Sequence, residues 1–505
     1  MIAKRLIICL VACCLGAPAA LAQTDNEART AAYFDSIRDD PVALGIFLRE
    51  MPKGGDLHNH IDGAVYAESF LKWAAFDGLC ISKPDLAIVR GPCDPAQGQI
   101  PAATGIQDGV LYTRMVDALS MKDFVPGAES GHDHFFATFA KFSPAAALRA
   151  ASMLAEVANR AGAENVSYLE LMWSPGMSDA AALGDKAGWD DYADDERAKI
   201  GAELVPIVTQ TEGFFDSAEK GMRQLLGCGT PDALPGCFVT IRFQAQVIRT
   251  LPKPDVFAEI LFGYMLASTD PRVPAVNLVA PEDSPVALDD YETHMQMLRS
   301  VHRWYPNVKL SLHAGELTLG LVPPEDLRFH IRDAVEVAGA NRIGHGVDIM
   351  YEDNAPQLMA EMAQRRIMVE INLTSNDEIL GVSGDAHPFM TYLAAGVPVA
   401  LSTDDEGVSR IDLTHEFTRA VETYSLSYPE LKMLVRNSLE YAFLTGPSLW
   451  ASTDPFRPVA ACAGVALGKG LSAGPCHNFL VRSDHARLQW LLEASFRRFE
   501  ATSWQ

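Results

Sequence analysis

The feature that most constrains the fold is a regular alternation of strand-like and helix-like segments. Eight short apolar runs have the composition of buried strands, at residues 55–58, 166–172, 238–246, 275–279, 308–313, 342–345, 367–373 and 397–402. Helical periodicity fills many of the intervals, at residues 145–161, 291–304, 324–337, 355–365 and 388–395. Such alternation predicts a parallel sheet, and eight strands suit a closed (β/α)8 barrel of the TIM type. An open doubly wound sheet is the alternative.

Segments outside this pattern predict a large catalytic domain with additions. Residues 1–22 have a basic start, an apolar run too short to span a membrane and an A-x-A cleavage site, which is typical of a secretory signal peptide. Residues 23–50 form a helical extension, residues 51–450 the barrel, and residues 451–505 a C-terminal extension packed on it. An irregular insertion at about residues 76–144 would lie above the catalytic face of the barrel.

Charge and cysteine content restrict the partners and the compartment. Lys and Arg number 41 against 65 Asp and Glu, and this excess repels nucleic acid and anionic membranes. We expect export to the periplasm or the extracellular space, with lipoprotein processing at Cys13 as a minor alternative. An oxidising compartment favours disulfides, and the spacing favours pairing between neighbours: Cys80 with Cys93, Cys228 with Cys237, and Cys462 with Cys476. The sequence predicts no oligomeric state.

A pair of histidines lies at the end of the first strand, in MPKGGDLHNHIDGA at residues 51–64. Alternate side chains of a strand point to the same side, so His58 and His60 face one way. Two convergent imidazoles are half of a metal site.

Further candidate ligands and a base lie at the ends of later strands. In HAGE, His313 ends an apolar strand and Glu316 follows on the turn, where a carboxylate can take a proton from metal-bound water. The alternative for Glu316 is a helix N-terminal residue. In RIGHG, His345 could bind metal, stabilise developing charge or simply occupy a turn.

Two polar motifs follow the last two strands. In STDD, Asp404 and Asp405 are adjacent, so one can bind metal while the other faces a ligand; a solvated acidic turn is the alternative. The TSN motif at residues 374–376 could orient the ligands of a metal or form a turn.

A second His-x-His, at His132 and His134, opens a helical segment. Residues two apart on a helix diverge, so we expect capping or surface residues there. The aromatic side chains that follow are predicted to be core, namely Phe135, Phe136, Phe139 and Phe142.

Five motifs occur in a fixed order along the chain: MPK-x-x-x-LH-x-HIDGA, HAGE, RIGHG, TSN and STDD. Together they resemble the adenosine deaminase family of metal-dependent hydrolases, and the resemblance runs from about Met51 to Leu444. The signal peptide, the paired cysteines and the long insertion resemble its secreted, growth-factor-type members. The resemblance implies a catalytic Zn²⁺ held by His58, His60, His313 and Asp404.

The same resemblance implies the reaction and its substrate. Adenosine and 2′-deoxyadenosine would be deaminated to the inosine product plus ammonia, with Glu316 moving protons and His345 orienting the water. Asp405 would contact purine N7, and Asp62 a ribose hydroxyl. Two alternative hypotheses are a zinc aminohydrolase that acts on another aminopurine or a modified nucleoside, and a non-catalytic secreted binding protein.

Three positions depart from the family pattern. Met172 replaces a usual Arg, and Glu406 replaces a usual Pro. Ala280 replaces a Gly whose backbone N–H would contact purine N3. The positions of the metal ligands and the base are all filled.

Overall fold

The computed structural model of the protein describes residues 25–190 and 193–502. The predicted signal peptide lies outside these residues. Within the described ranges, no helix is both long enough and apolar enough to cross a membrane.

A barrel of parallel strands forms the centre of the molecule, which confirms the predicted (β/α)8 fold. Its strands are β1 (Gly54–His60), β2 (Val166–Trp173), β3 (Thr240–Ile248), β4 (Ala275–Val279), β5 (Lys309–Ala314), β6 (Arg342–His345), β7 (Met368–Ile371) and β8 (Val399–Leu401). Each strand pairs with the next in chain order. A parallel bridge between Asn59 and Asp404 links the last strand to the first. The strand predicted at residues 238–246 begins two residues later in the structure, at Thr240, because Pro235–Phe238 forms a 3-10 turn.

Helices connect the strands and cover the barrel. The main ones are Ala67–Phe76, Ala150–Ala163, Met177–Ala187, Ala193–Leu225, Lys253–Thr269, Tyr291–His302, Ala355–Arg365, Leu373–Leu380, Phe389–Ala394, Leu413–Tyr424 and Tyr428–Glu440. Short helical turns lie at Ile61–Ala64, Pro285–Asp289, His330–Asp333 and Ala334–Ala338. The prediction of a helix over residues 324–337 is wrong for the first half of that segment, where the chain forms a loop. This loop packs Leu317, Val322 and Leu327 into a separate apolar cluster.

The insertion after β1 is more regular than predicted. A three-stranded antiparallel sheet comprises Cys80–Ser82, Ala87–Val89 and Gln99–Pro101. Helices follow at Ala102–Gly105, Gly109–Ala118 and Gly131–Ala146. Phe142 stacks on Phe70 with ring centroids 4.6 Å apart, which packs the last of these helices onto the helix Ala67–Phe76.

Both chain extensions pack on the barrel. The N-terminal helices Asp25–Ile37 and Pro41–Glu50 contribute Phe34 and Phe47 to an aromatic cluster with Tyr428 and Phe499. The C-terminal segment contains the hairpin Trp450–Thr453 and Phe456–Pro458 and the helices Pro475–Val481 and Asp484–Glu500. All three predicted disulfides are present, at Cys80–Cys93, Cys228–Cys237 and Cys462–Cys476.

Candidate active site

Four histidines and an aspartate converge at the C-terminal end of the barrel. His58 and His60 come from β1, His313 from β5 and His345 from β6, while Asp404 follows β8. Asp404 Oδ1 lies 3.4 Å from Nε2 of both His58 and His60. Nε2 of His60 is also 3.2 Å from Nε2 of His313. The carboxyl ends of barrel strands are where TIM-type enzymes place their chemistry.

Backbone conformation directs two of these side chains inward. Asp404 and His345 have φ values of 60° and 68°, in the left-handed region that costs a non-glycine residue about 1–2 kcal/mol. The barrel closure holds Asp404 in place, because its backbone N–H donates to the carbonyl of His58 and its carbonyl accepts from His60. Strain of this kind persists where surrounding structure enforces it, and it concentrates at functional sites.

Polar residues within the strands fix the orientation of three imidazoles. Nδ1 of His58 lies 2.7 Å from Glu370, and Nδ1 of His60 lies 2.8 Å from Gln246. Nδ1 of His313 lies 2.9 Å from Asn277. With Nδ1 engaged by these partners, Nε2 is the nitrogen of each ring that can bind a cation. Sequence reasoning missed these partners, although a charged or amide residue inside an apolar strand was a visible signal.

The cluster fits a metal ion. Among the described residues, His58, His313, His345 and Asp404 can each offer a ligand atom within 4.8 Å of the others, and His60, Asp404 and Asp405 form an overlapping group. Nε2 of His58 and Nε2 of His345 are buried without a hydrogen-bond partner. Buried polar atoms normally have partners, and imidazole nitrogens beside a carboxylate are a typical donor set for a divalent metal.

Electrostatics leaves most of the imidazoles neutral, which is the form that binds metal. Burial lowers the pKa of His60 to about 4 and that of His313 well below its ordinary value. His58 differs: burial would lower its pKa, but the neighbouring carboxylates of Asp404 and Glu370 raise it to about 10. Metal binding would therefore compete with a proton at His58.

Glu316 lies on the turn after β5, and no described helix begins there, which excludes the helix-terminal alternative. Glu282 holds this turn by accepting hydrogen bonds from the N–H of Gly315 (3.1 Å) and the N–H of Glu316 (2.8 Å). Oε1 of Glu316 is 3.5 Å from Nδ1 of His345 and has no hydrogen-bond partner. Burial, and then the negative charge of Asp404, raises the pKa of Glu316 well above its usual range. A carboxyl that retains its proton near neutral pH can act as a general acid.

A cavity of about 340 Å³ opens above this cluster, within the range of small-molecule sites. Its polar lining residues are Gln246, Glu316, Asp405 and four members of the cluster, namely His60, His313, His345 and Asp404. Its apolar wall consists of Phe135, Phe136, Phe139, Ile248, Val279, Ala280, Pro281 and Ile379. The aromatic residues were predicted to be core. That prediction holds for the buried Phe135 and Phe142 and fails for the partly buried Phe136 and Phe139, because the helix that carries them packs across the mouth of the barrel.

The second His-x-His behaves as predicted in one respect only. Its rings diverge, since His132 reaches Asp283 whereas His134 contacts the carbonyls of Asp117 and Ser120. Neither ring is at the surface, however, with side-chain exposures of 13% and 11%. Ser130 caps the helix instead.

The TSN motif supports the cluster rather than forming a simple turn. Ser375 donates to Asp404 at 2.6 Å, and the amide of Asn376 lies 2.8 Å from Nδ1 of His345. Thr374 donates to the buried Glu416. Asp62 is half-buried on the turn after β1 and is not among the residues that line the cavity.

The departures from the family pattern have different surroundings. Met172 is fully buried, and its sulfur accepts a hydrogen bond from the amide of Asn277 at 3.2 Å. Glu406 pairs with Arg160 at 2.9 Å, which ties the loop after β8 to the helix Ala150–Ala163. Ala280 lines the cavity with a φ of 80°.

Comparison with known proteins agrees with this geometry. The adenosine deaminase family model matches residues 128–449, well over half of the chain. The chain therefore belongs to the adenosine deaminase family.

Two curated relatives, both described as adenosine deaminase, match part of the chain. The Enterococcus faecalis protein is 36% identical over 140 residues, which is 28% of this chain and 38% of the relative. The Shewanella loihica protein is 41% identical over 113 residues, which is 22% and 33% of the two chains. The chain thus spans less than two thirds of the length of either relative.

Solved structures share the fold. The N6-methyl-AMP deaminase of Arabidopsis thaliana has a TM-score of 0.50 at 20% identity, over 79% of this chain and 94% of its own. A complex of the arabidopsis protein ADAL with IMP has a TM-score of 0.51 at 19% identity, over 78% and 93%. At this identity the likeness shows the architecture alone.

Proposed function

We propose that the protein is a zinc-dependent hydrolytic deaminase that converts adenosine and 2′-deoxyadenosine to the inosine product and ammonia. The observation that carries this proposal is the arrangement of a buried His/Asp cluster, a buried carboxyl and a second carboxyl on one side of a nucleoside-sized cavity. Family membership supports the same chemistry. The intact cluster also disfavours a purely binding role.

Each residue has a place in this reaction. A zinc ion held by His58, His60, His313 and Asp404 would supply the Lewis acidity that makes water a nucleophile near neutral pH. His345, oriented by Asn376, would hold that water toward the purine. Most of the imidazoles are neutral and the cluster is buried, and both properties favour the role of His345, because electrostatic contacts strengthen where water is excluded.

Proton transfers would pass through Glu316. The oxygen of water bonds to C6 of the purine while N1 gains a proton from Glu316, which then takes a proton from the attacking water. Glu316 then passes this proton to N6 and takes the proton of the new C6 hydroxyl as the C6–N6 bond breaks, so that ammonia leaves, the C6 carbonyl forms and Glu316 is protonated again. The high pKa of Glu316 matches a group that begins as an acid. Asp405 would contact the opposite edge of the ring at N7; burial, and then Asp404, raises its pKa well above the ordinary value, so it can donate a hydrogen bond.

The cavity favours a nucleoside over a nucleotide. None of the described side chains that line it is Lys or Arg, and phosphate groups are typically bound by such cations. A second candidate, an aminohydrolase for another aminopurine, is favoured by one observation. Ala280 puts a methyl group where the family has glycine, which alters the wall beside the substrate.

Export is part of the proposal. The signal-like start of the chain and three disulfides within the described residues support a periplasmic or extracellular location. Cleavage before Gln23 would give the mature chain, and intact-mass measurement of secreted protein checks this. A mature chain that begins at Cys13 would indicate lipoprotein processing instead.

The substrate is tested with zinc-replete protein by measuring ammonia release from adenosine, 2′-deoxyadenosine, AMP and 2-aminoadenosine, and methylamine release from N6-methyl-AMP. We expect the first two to be turned over with the highest kcat/KM. Preference for a nucleotide, or no adenosine turnover with a full metal site, would contradict the proposed substrate.

The mechanism is tested with Glu316→Gln, which keeps the shape of the side chain but cannot shuttle protons. We expect kcat to fall by about 10²–10⁴-fold while zinc content stays unchanged. Glu352→Gln is the matched control, because it alters another buried carboxyl, one that accepts hydrogen bonds from Ile331 and Arg332 and does not line the cavity. Near-normal turnover in Glu316→Gln would place the base elsewhere.

A further inference from the structure

Two segments far apart in the sequence both contribute walls to the cavity. The helix Gly131–Ala146 supplies Phe136 and Phe139, and the loop after β4 supplies Ala280 and Pro281. A polar contact joins the segments: Nε2 of His132 lies 3.0 Å from Oδ1 of Asp283. Asp283 is two residues beyond Pro281, so the contact connects the two walls directly.

His132 also contacts the cavity wall on its own helix. Its ring meets that of Phe136 edge to face, with centroids 4.9 Å apart. The side chains of His132 and Asp283 are only 13% and 18% exposed. Little water therefore competes for this hydrogen bond, and a charged hydrogen bond that is largely shielded is stronger than an exposed one.

The first turn of the helix is also held from another side. At Gly131, an ideal Cβ would lie 1.9 Å from the carbonyl oxygen of Glu378, so the helix backbone sits directly on the helix Leu373–Leu380. His132 follows at once in the chain. Fixing this turn between Glu378 and Asp283 would set the distance from Phe136 to the loop.

We propose that His132 is a positioning residue, which holds the phenylalanine wall against the Ala280 loop through Asp283 and so fixes the width of the substrate cavity. This inference rests on the proposed function, in which the purine nucleoside occupies this cavity. His132 would affect substrate binding and leave the chemical step, carried by Glu316 and the metal cluster, unchanged.

Protonation of His132 should tune the contact. The groups that face its ring are Asp133 on its own helix, with Oδ1 3.0 Å from Nδ1, Asp283 on the loop, and the uncharged Phe136. Burial lowers the pKa of His132, but its hydrogen bonds to Asp283 and Asp133 outweigh burial and raise it. The doubly protonated ring donates to both carboxylates, whereas the neutral ring donates to one. The contact should therefore be strongest below this raised pKa and weaken as the pH rises through it.

The test compares KM and kcat for adenosine across pH in His132→Ala, Asp283→Ala, the double variant and His132→Gln. We expect His132→Ala to raise KM about tenfold at low pH with kcat within twofold, the effect of losing one charged hydrogen bond. The double variant should be no worse than either single one, because the two residues act as a pair. His132→Gln can still donate to Asp283 and should keep a low KM that no longer depends on pH in this range.

Asp133→Ala is the matched control. Asp133 contacts the other nitrogen of His132, is exposed and does not reach the loop. This variant should keep the low KM at low pH and move the rise in KM to lower pH. An unchanged KM in His132→Ala, or additive effects of His132→Ala and Asp283→Ala in the double variant, would overturn the proposal.

A second measurement separates this proposal from the proposed function. Hydrogen exchange in the helix Gly131–Ala146 should become faster in His132→Ala, while exchange in the helix Ala355–Arg365 stays the same. This readout needs no turnover. If the unmodified protein fails to deaminate adenosine, faster exchange in the first helix alone would still support the contact, and unchanged exchange would refute it.

Discussion

Replacement of Glu370 by Gln tests how the barrel interior supports the metal cluster. Glu370 is fully buried; one oxygen lies 2.7 Å from Nδ1 of His58, and the other lies 2.5 Å from Nε of Arg342. Burial would raise the pKa of Glu370, but the charge of Arg342 and the hydrogen bond from His58 lower it to about 2, so the carboxylate is ionised. It orients His58 and makes that ring a better ligand.

Glu170 provides a matched control, because it pairs with the same arginine from the other side. Its Oε2 lies 2.5 Å from Nη2 of Arg342, its burial equals that of Glu370, and its contacts do not include His58. Either Gln variant should lose about 1.5–3 kcal/mol of unfolding free energy, the value of a hydrogen bond to a charged group. Only Glu370→Gln should also weaken zinc binding, by about 10–100-fold.

The assay combines two measurements on each variant. Urea unfolding of metal-free protein gives the stability change, and competition with a chromophoric chelator gives the zinc affinity. Equal zinc affinity in the two variants would refute the reasoning, since it would show that the partner of His58 does not control the metal cluster.

Two further predictions concern the cavity wall and the crosslinks. Ala280→Gly should change the unfolding free energy by less than about 1 kcal/mol, because relief of the left-handed backbone offsets the added flexibility of glycine. It should also raise kcat/KM for 2-aminoadenosine relative to adenosine if the methyl group lies beside C2, and an unchanged ratio would place the methyl elsewhere. Peptide mapping without reduction should recover Cys80–Cys93, Cys228–Cys237 and Cys462–Cys476, and reduction should lower stability by about 2–4 kcal/mol for each bridge. Free thiols or crossed pairs would contradict the local pairing.

The sequence by itself was enough to predict the barrel and the position of the chemistry. Strand and helix periods are local properties, so eight alternating units could be recognised without any knowledge of contacts. The ends of parallel strands meet at one edge, which is why His58, His60, His313, His345 and Asp404 could be expected to converge although they are spread over most of the chain.

Tertiary structure decided what surrounds those residues. The phenylalanines at residues 135–142 have the same pattern whether a helix packs in a core or over a cavity, and only the position of the insertion placed Phe136 and Phe139 on the wall. Likewise, His132 looked like an isolated helix residue until the fold brought Asp283 to it across 151 positions of sequence. The pairing of Glu370 with His58 spans 312 positions. Contacts of this kind depend on how separate elements pack, and no local pattern of residues contains that information.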